Sequence, residues 1–197
     1  MSLWGRAFAR FYDRALRPSE EHGLGDMRHR LLAGASGETL EIGAGTGHNL
    51  EHYPETIGAL TLCEPEEPMA HLLRPRAVPY GARVLVAPAE AIPVPDHSID
   101  TVVSTLVLCT VDDPVAALAE IRRVLVPGGR LLFLEHVRST DPALARSQDR
   151  WDPVWKRIGH GCRCNRATLA TVEASGLRVE SVEDTRIPKA TSIVRPA

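Results

Sequence analysis

No run of about 20 apolar residues, the length a helix needs to cross a bilayer, occurs anywhere in the 197 residues. The first residues also lack the apolar core of a secretion signal ahead of Arg6 and Arg10. A cytoplasmic protein without an integral membrane segment is therefore expected. Neither sign of charge is in excess, since 23 Lys and Arg stand against 25 Asp and Glu for a formal net charge of −2. That balance argues against a global attraction to nucleic acid or to an anionic lipid surface. Cysteine is scarce, with four residues, and its spacing does not suit a metal knuckle. Cys162 and Cys164 form a tight C-x-C pair near His160, without the two-residue gap of a knuckle and without a second ligand pair in the sequence. Cys63 and Cys109 lie in apolar segments, where a free thiol behaves as a small hydrophobe. All four are read as reduced structural thiols, and no metal ligand is assigned.

What is present is ordinary for one globular domain: 44% apolar and 24% charged residues, on a chain long enough for a single substantial core. Its centre is the stretch TLEIGAGTGHN at 39–49. A short apolar strand, 39–42, runs into a turn carrying Gly43, Gly45 and Gly47, and a helix is expected to begin near His48. Glycine suits a chain that must take φ > 0 on leaving a strand, and it lets a ligand lie against bare backbone. A dinucleotide fingerprint would have its third glycine one place later, so that a helix amino end could cradle a diphosphate. Here the third glycine is Gly47, and Glu41 precedes the turn, a carboxylate better suited to an ammonium group than to a phosphate. A second strand, 59–63, ends at Glu64, about twenty residues past the turn, where nucleoside-binding folds place an acid for the ribose hydroxyls. An acid at the start of the following helix would occupy the same position.

The remaining chain alternates. Helices are expected at 3–16, ended by Pro18, and from the capping Ser19 to Leu32. The first has an aromatic face, with Phe8, Phe11 and Tyr12 expected to cover the pocket, and an opposite face of Arg6, Arg10 and Arg14. After Glu64 come a helix at 66–73, strands at 83–87 and 101–104, a helix at 114–125, a strand at 130–135, a helix at 141–158 broken at Pro153, a helix ending near Ser175, and a strand at 177–185. Repeated strand-helix alternation predicts an α/β protein, a three-layer doubly wound and mostly parallel sheet. Three parts are expected within one domain: a helical cap at 1–37, a cofactor-binding core at 38–137, and substrate-side helices with a sixth strand at 138–197.

The run E-x-G-x-G-x-G from Glu41 resembles motif I of the class I S-adenosylmethionine-dependent methyltransferases. AEAIPVPDHSID at 89–100 resembles a signature of the ubiquinone/menaquinone-type members, and VLVPGGRLLFLEHV at 124–137 resembles a later motif of the same group. Thr105 to Val111, Glu135-His136-Val137, Trp151 to Trp155 and Gly161-Cys162 are similar to the methyltransferase-like thiol S-methyltransferases and their bacterial relatives. The resemblance implies a Rossmann-like fold, S-adenosylmethionine as cofactor and a small-molecule acceptor, most simply a thiol. An O- or C-methyltransferase acting on a phenol, quinol or secondary metabolite, and a non-catalytic cofactor-binding protein, are the alternatives. It implies a cofactor set of Glu41, Gly43, Ala44, Gly45, Gly47, Asn49, Glu64, Pro65, Ala89, Glu90, Thr105 and Leu106. Where such enzymes hold adenine with an acid or amide this chain has Pro88, which leaves the Ala89 N–H and Glu90 for that contact. The family's seventh, antiparallel strand is not evident in 187–197 and is expected to be missing or incomplete. A thiol ionises usefully near neutral pH and needs little help from a base. A hydroxyl or carbon acceptor would need one, and the candidates are His136, at the end of the fifth strand, then His160 and Asp149.

Overall fold

The computed structural model describes residues 3–159, 161–183, 185–186 and 193–196, with the side chains of 3–8, 10, 185–186 and 193–196 outside that description. His160 is thus outside the described residues. The elements are α1 (Leu3–Ser19), α2 (Gly25–Leu32), β1 (Gly37–Ile42), β2 (Ile57–Cys63), α3 (Glu67–Ala77), β3 (Arg83–Leu85), β4 (Ile99–Thr105), α4 (Pro114–Val124), β5 (Leu125–Val137), α5 (Pro142–Ile158), α6 (Thr168–Ala174), β6 (Thr185–Arg186) and β7 (Ile193–Pro196).

The strands form one sheet in the order β3-β2-β1-β4-β5-β7-β6. The five from β1 to β5 run parallel, and β7 lies antiparallel between β5 and β6. Strand order reverses between β1 and β4, and in such sheets the crevice at the carboxyl ends beside that reversal is where ligands lie. Register sets what lines it. Ile42 stands beside Cys63 on one side and Ser104 on the other, and Ser104 stands beside Phe133. The next residues along, Gly43, Glu64, Thr105 and then Glu135, therefore share one edge.

Alternation along β5 explains the layers. Leu131 and Phe133 pack with Leu118, Ile121 and Val124 of α4, whereas Leu132 and Leu134 pack with Met27 and Leu31 of α2. Successive side chains of a strand point to opposite faces, so one strand feeds both helical layers. On the α3 side, Leu60 and Leu62 pack against Leu73 and Ala77.

Several boundaries differ from expectation. Helix α1 continues through Pro18, and the break comes four residues later, where a π turn at Glu20–Leu24 carries non-helical His22 and Gly23, the latter at φ 122°. Glycine adopts that conformation freely, so the kink falls there and Ser19 makes no side-chain cap. No α-helix follows the glycine turn. Its amides close successive tight turns, Gly47 N–H to Ala44 O, Leu50 to Gly47 and His52 to Asn49, ending in a 3-10 turn at Leu50–His52. The stretch 177–183 is not a strand. Its alternating Leu177 and Val179 pack onto the α4-side core instead, and the sixth strand is only Thr185–Arg186. The expectation that the seventh strand is missing is corrected as well, because Ile193–Pro196 pairs with β5 from Val137 back to Leu134. Helix α5 runs unbroken through Pro153. Among the described residues, no helix is long and apolar enough to cross a membrane.

Candidate functional site

The three glycines have different jobs. A Cβ on Gly43 (φ 58°) would stand 2.5 Å from Val107 Cγ2, and one on Gly47 (φ 93°) 2.7 Å from Leu50 Cδ1, so these two serve close packing. A Cβ on Gly45 (φ 58°) would meet only Tyr12 and Met69, at 3.8 and 3.9 Å. Gly45 is thus the one of the three where a Cβ would meet nothing closer than ordinary contact, with the Tyr12 ring above it.

Glu64 fastens this loop to the end of β2. One carboxylate oxygen accepts from Gly45 N–H at 2.8 Å and the other from Glu66 N–H at 2.8 Å. Burial holds its pKa above the usual carboxylate range. Each oxygen keeps a second lone pair for a further donor.

Beneath the loop lies a buried polar network that the sequence reading only partly anticipates. Glu41, 2% exposed, accepts from Asn49 Nδ2 at 2.9 Å and from the Tyr53 hydroxyl at 2.7 Å. Its carboxyl is pushed up to about 7 by burial, against the Tyr53 hydrogen bond and the Arg28 charge. Asn49 also donates to Thr105 Oγ1 at 2.9 Å. Arg28, 3% exposed, donates to Asn49 Oδ1 at 2.7 Å and to Thr105 Oγ1 at 2.9 Å, and pairs with Glu20 at 3.1 Å. A guanidinium and a carboxylate thus converge on Asn49 where β1 and β4 end. Arg28 and Tyr53 carry no motif, and only the fold connects them to Glu41.

Helix α1 is clasped to the loop. Asp13 accepts from Thr46 Oγ1 at 2.5 Å and lies 3.2 Å from His48 Nε2, and its second oxygen pairs with Arg76 at 2.6 Å. Tyr12, one residue earlier, is pushed up to about 12, mainly by burial. Phe11 does not cover the pocket; it is 64% exposed, and the Phe8 side chain lies outside those described. Of the other cofactor-set residues, Ala44 is buried with its N–H on Cys63 O, Pro65 is exposed just past Glu64, and Ala89 is buried. Glu90 is committed to Asp113 N–H at 3.2 Å.

The exit of β4 is shaped by Glu135. This fully buried carboxylate accepts from Ser104 Oγ, from the N–H groups of Val107 and Leu108, and from Cys109 N–H at 3.0 Å. Burial raises its pKa in spite of those four donors. Leu106 takes φ 62° there, a conformation unfavourable for leucine and held by its N–H on Leu134 O at 2.7 Å. His136, next along β5, points Nδ1 at sulfur: 3.2 Å to Cys162 Sγ and 3.6 Å to Cys109 Sγ. Among the described residues, no carboxylate hydrogen-bonds to that nitrogen. Asp149 is exposed and engaged by Arg138 and Asn165, so it does not join His136 in an acid–base pair.

Residues 40–133 match the model of a family described as a methyltransferase domain. Human thiol S-methyltransferase TMT1A is 32% identical over 174 residues, which are 84% of this chain and 70% of that protein. The chain belongs to the class I S-adenosylmethionine-dependent methyltransferases. Human thiol S-methyltransferase TMT1B is 41% identical over 152 residues, covering 72% of this chain, and the chain spans 61% of TMT1B's length. The fold alone is shared with a Thermotoga maritima structure described as a possible histamine N-methyltransferase, with a TM-score of 0.71 at 24% identity over 96% of this chain and 91% of that one.

The cofactor of this family is S-adenosylmethionine, and the residues present fit it. Gly45 leaves backbone uncovered by any side chain of its own, Glu64 has lone pairs left for further donors such as ribose hydroxyls, and the glycine turn opens no α-helix whose amino end would select a diphosphate.

Proposed function

We propose that this methyltransferase transfers a methyl group from S-adenosylmethionine to a small, fairly apolar thiol, giving a thioether. One observation carries the reading. Likeness to the thiol S-methyltransferases reaches past the common core at 40–133, since the TMT1A match covers 174 residues and so extends into the flanking segments, which we take to shape the acceptor side. The absence of a carboxylate–imidazole pair at His136, among the described residues, supports the same acceptor.

The cofactor supplies a methyl group already activated on a sulfonium, so the protein's task is to bind, orient and exclude water. Glu64 would take the ribose hydroxyls. Glu41 and Arg28, one of each sign around Asn49, suit the ammonium and carboxylate of an amino-acid end. Tyr12, clamped over Gly45 through the Asp13 contacts, would cover the cofactor and keep water away. A thiol of ordinary pKa is only a few per cent ionised at pH 7, yet its thiolate is a strong nucleophile. A hydroxyl would instead need a positioned base, and losing such a base costs about 100-fold or more.

The test is methylation of matched aryl thiol, phenol and quinol acceptors by the purified protein, with products identified by mass spectrometry. Thioether formation in clear preference to ether or C-methyl product is expected. Preference for the phenol or quinol would replace the thiol reading with O- or C-methylation, and no turnover with cofactor bound would leave a binding protein.

A further inference from the structure

Cys109, His136 and Cys162 come from the β4 exit, the end of β5 and the loop after α5, yet their ligand atoms lie within 4.8 Å of one another. The sulfurs of Cys109 and Cys162 are 3.6 Å apart, and His136 Nδ1 is 3.6 Å from the first and 3.2 Å from the second. A tetrahedral zinc ion, with bonds of about 2.3 Å to sulfur and about 2.0 Å to nitrogen, holds two sulfurs about 3.8 Å apart and sulfur and nitrogen about 3.6 Å apart. The three atoms are therefore set within a few tenths of an ångström of ligand spacing.

The backbone around them is built to hold that spacing. Glu135 fixes Cys109 N–H at 3.0 Å, Arg163 N–H binds Cys109 O at 2.8 Å, and Arg166 binds Leu108 O at 2.7 Å. Cys109 is fully buried and Cys162 is 8% exposed. Two thiolates and a neutral imidazole would cancel a divalent charge, which a buried site requires. Cys164 Sγ lies 3.9 Å from Cys162 Sγ but does not belong to the mutually close group. Among the described residues three protein ligands converge, and three with one position left over is the arrangement of a zinc site that accepts an outside ligand, not of a closed structural one. The cluster stands past the carboxyl ends of β4 and β5, the side of such a sheet at which ligands bind.

We propose that Cys109, His136 and Cys162 bind a zinc ion whose fourth position takes the acceptor thiol as its thiolate. The proposal rests on the thiol reading above. The acceptor would lose its proton to solvent on coordination. Its sulfur electron pair would then form the bond to the methyl carbon as the carbon–sulfonium bond breaks, leaving that bond's pair on S-adenosylhomocysteine and releasing a neutral thioether. Coordination ionises a thiol outright, so removing the ion should slow methylation of an alkyl thiol of pKa about 8.5 by up to about 30-fold at pH 7.

The experiment uses the full chain, reduced and stripped of metal, with cobalt(II) as the probe. One equivalent should bind with thiolate-to-cobalt charge-transfer absorption, lost in Cys109→Ser and Cys162→Ser and kept in Cys164→Ser. Adding thiophenol to the unmutated cobalt protein should change the spectrum where phenol does not, a readout independent of how the variants fold. No such absorption, with all thiols counted as free, would overturn the site, and so would a thiol count showing a Cys109–Cys162 disulfide in the protein as purified. Loss of the band in Cys164→Ser would replace the open position with a closed four-ligand site and overturn the thiolate role. Undiminished thiol methylation after chelation would remove the ion and keep the thiol reading. A thiophenol-shifted cobalt spectrum without methyl transfer would support the site and remove that reading.

Discussion

Replacing Glu41 by Gln should raise the stability of the cofactor-free protein in a way that depends on pH. The Glu41 carboxyl sits at about 7 in the folded chain because burial penalises its charge, against an ordinary value of 4.5. Between those two values the folded state keeps a proton that the unfolded state has released, so stability falls as pH rises through the window and the full cost is present above it. The difference is about 2.5 pH units at about 1.4 kcal/mol each, or about 3 to 4 kcal/mol. Gln is close in shape, and it keeps an oxygen for Asn49 and an amide that can donate to the Tyr53 oxygen once that hydroxyl rotates. Thermal melts followed by circular dichroism should coincide for parent and variant below about pH 4.5 and separate progressively above it. By pH 8 the variant should melt about 6–16 °C higher, at about 2–4 °C per kcal/mol for a chain of this size. A constant offset across the whole range would refute the reasoning, because Glu41 would then titrate alike in the folded and unfolded chain, with Arg28 and the hydrogen bonds offsetting its burial.

Glu64→Ala should weaken S-adenosylmethionine binding by about 10- to 150-fold in calorimetry, the equivalent of a charge-assisted hydrogen bond of about 1.5–3 kcal/mol, and an unchanged Kd would take Glu64 out of the site. Gly43→Ala and Gly45→Ala should part company: the first should lower the melting temperature because its Cβ falls 2.5 Å from Val107, whereas the second should lose cofactor affinity beyond any loss of stability. Parental affinity in Gly45→Ala would mean that the ligand does not approach this backbone. Asp13→Ala should free α1 from Thr46 and Arg76, speeding proteolytic cleavage in the first twenty or so residues while the sheet stays protected, and equal cleavage in both proteins would show that the clasp does not hold the helix.

Much of the sheet is legible because its strands are short apolar runs buried on both faces, and Leu40, Ile42, Val102 and Val103 have no other environment open to them. The reading fails where a pattern has two physical solutions. Leu177 and Val179 alternate as a strand would, and they satisfy that alternation by packing on the α4-side core without joining the ladder. Pro18 looks like a helix terminator, but Gly23 offers a better place for the chain to turn. His48 looks like the start of a helix, yet Asn49 is drawn inward to bridge Glu41 and Thr105, and the segment shortens into tight turns.

The site divides along a similar line. Residues carried by one loop, such as Gly43, Gly45 and Gly47 with Glu64 at its fixed interval, can be read because local conformation and ligand contact are specified together. Arg28, Tyr53 and Asp13 act on that loop from outside it, and no spacing records the connection. The thiols show the limit most clearly. A search for paired ligands along the chain finds C-x-C alone, because the partners of Cys162 lie 53 residues away at Cys109 and 26 away at His136. What brings them together is the parallel register of β4 and β5, which places their carboxyl ends side by side, and Glu135, whose four hydrogen bonds turn the chain after Leu106 back toward His136. A buried carboxylate is a costly way to shape a turn, and so is a leucine at φ 62°. Glu135 bonds the Cys109 N–H directly and Leu106 lies three residues before that thiol, so both costs bear on where the β4 exit, and the Cys109 sulfur with it, is placed.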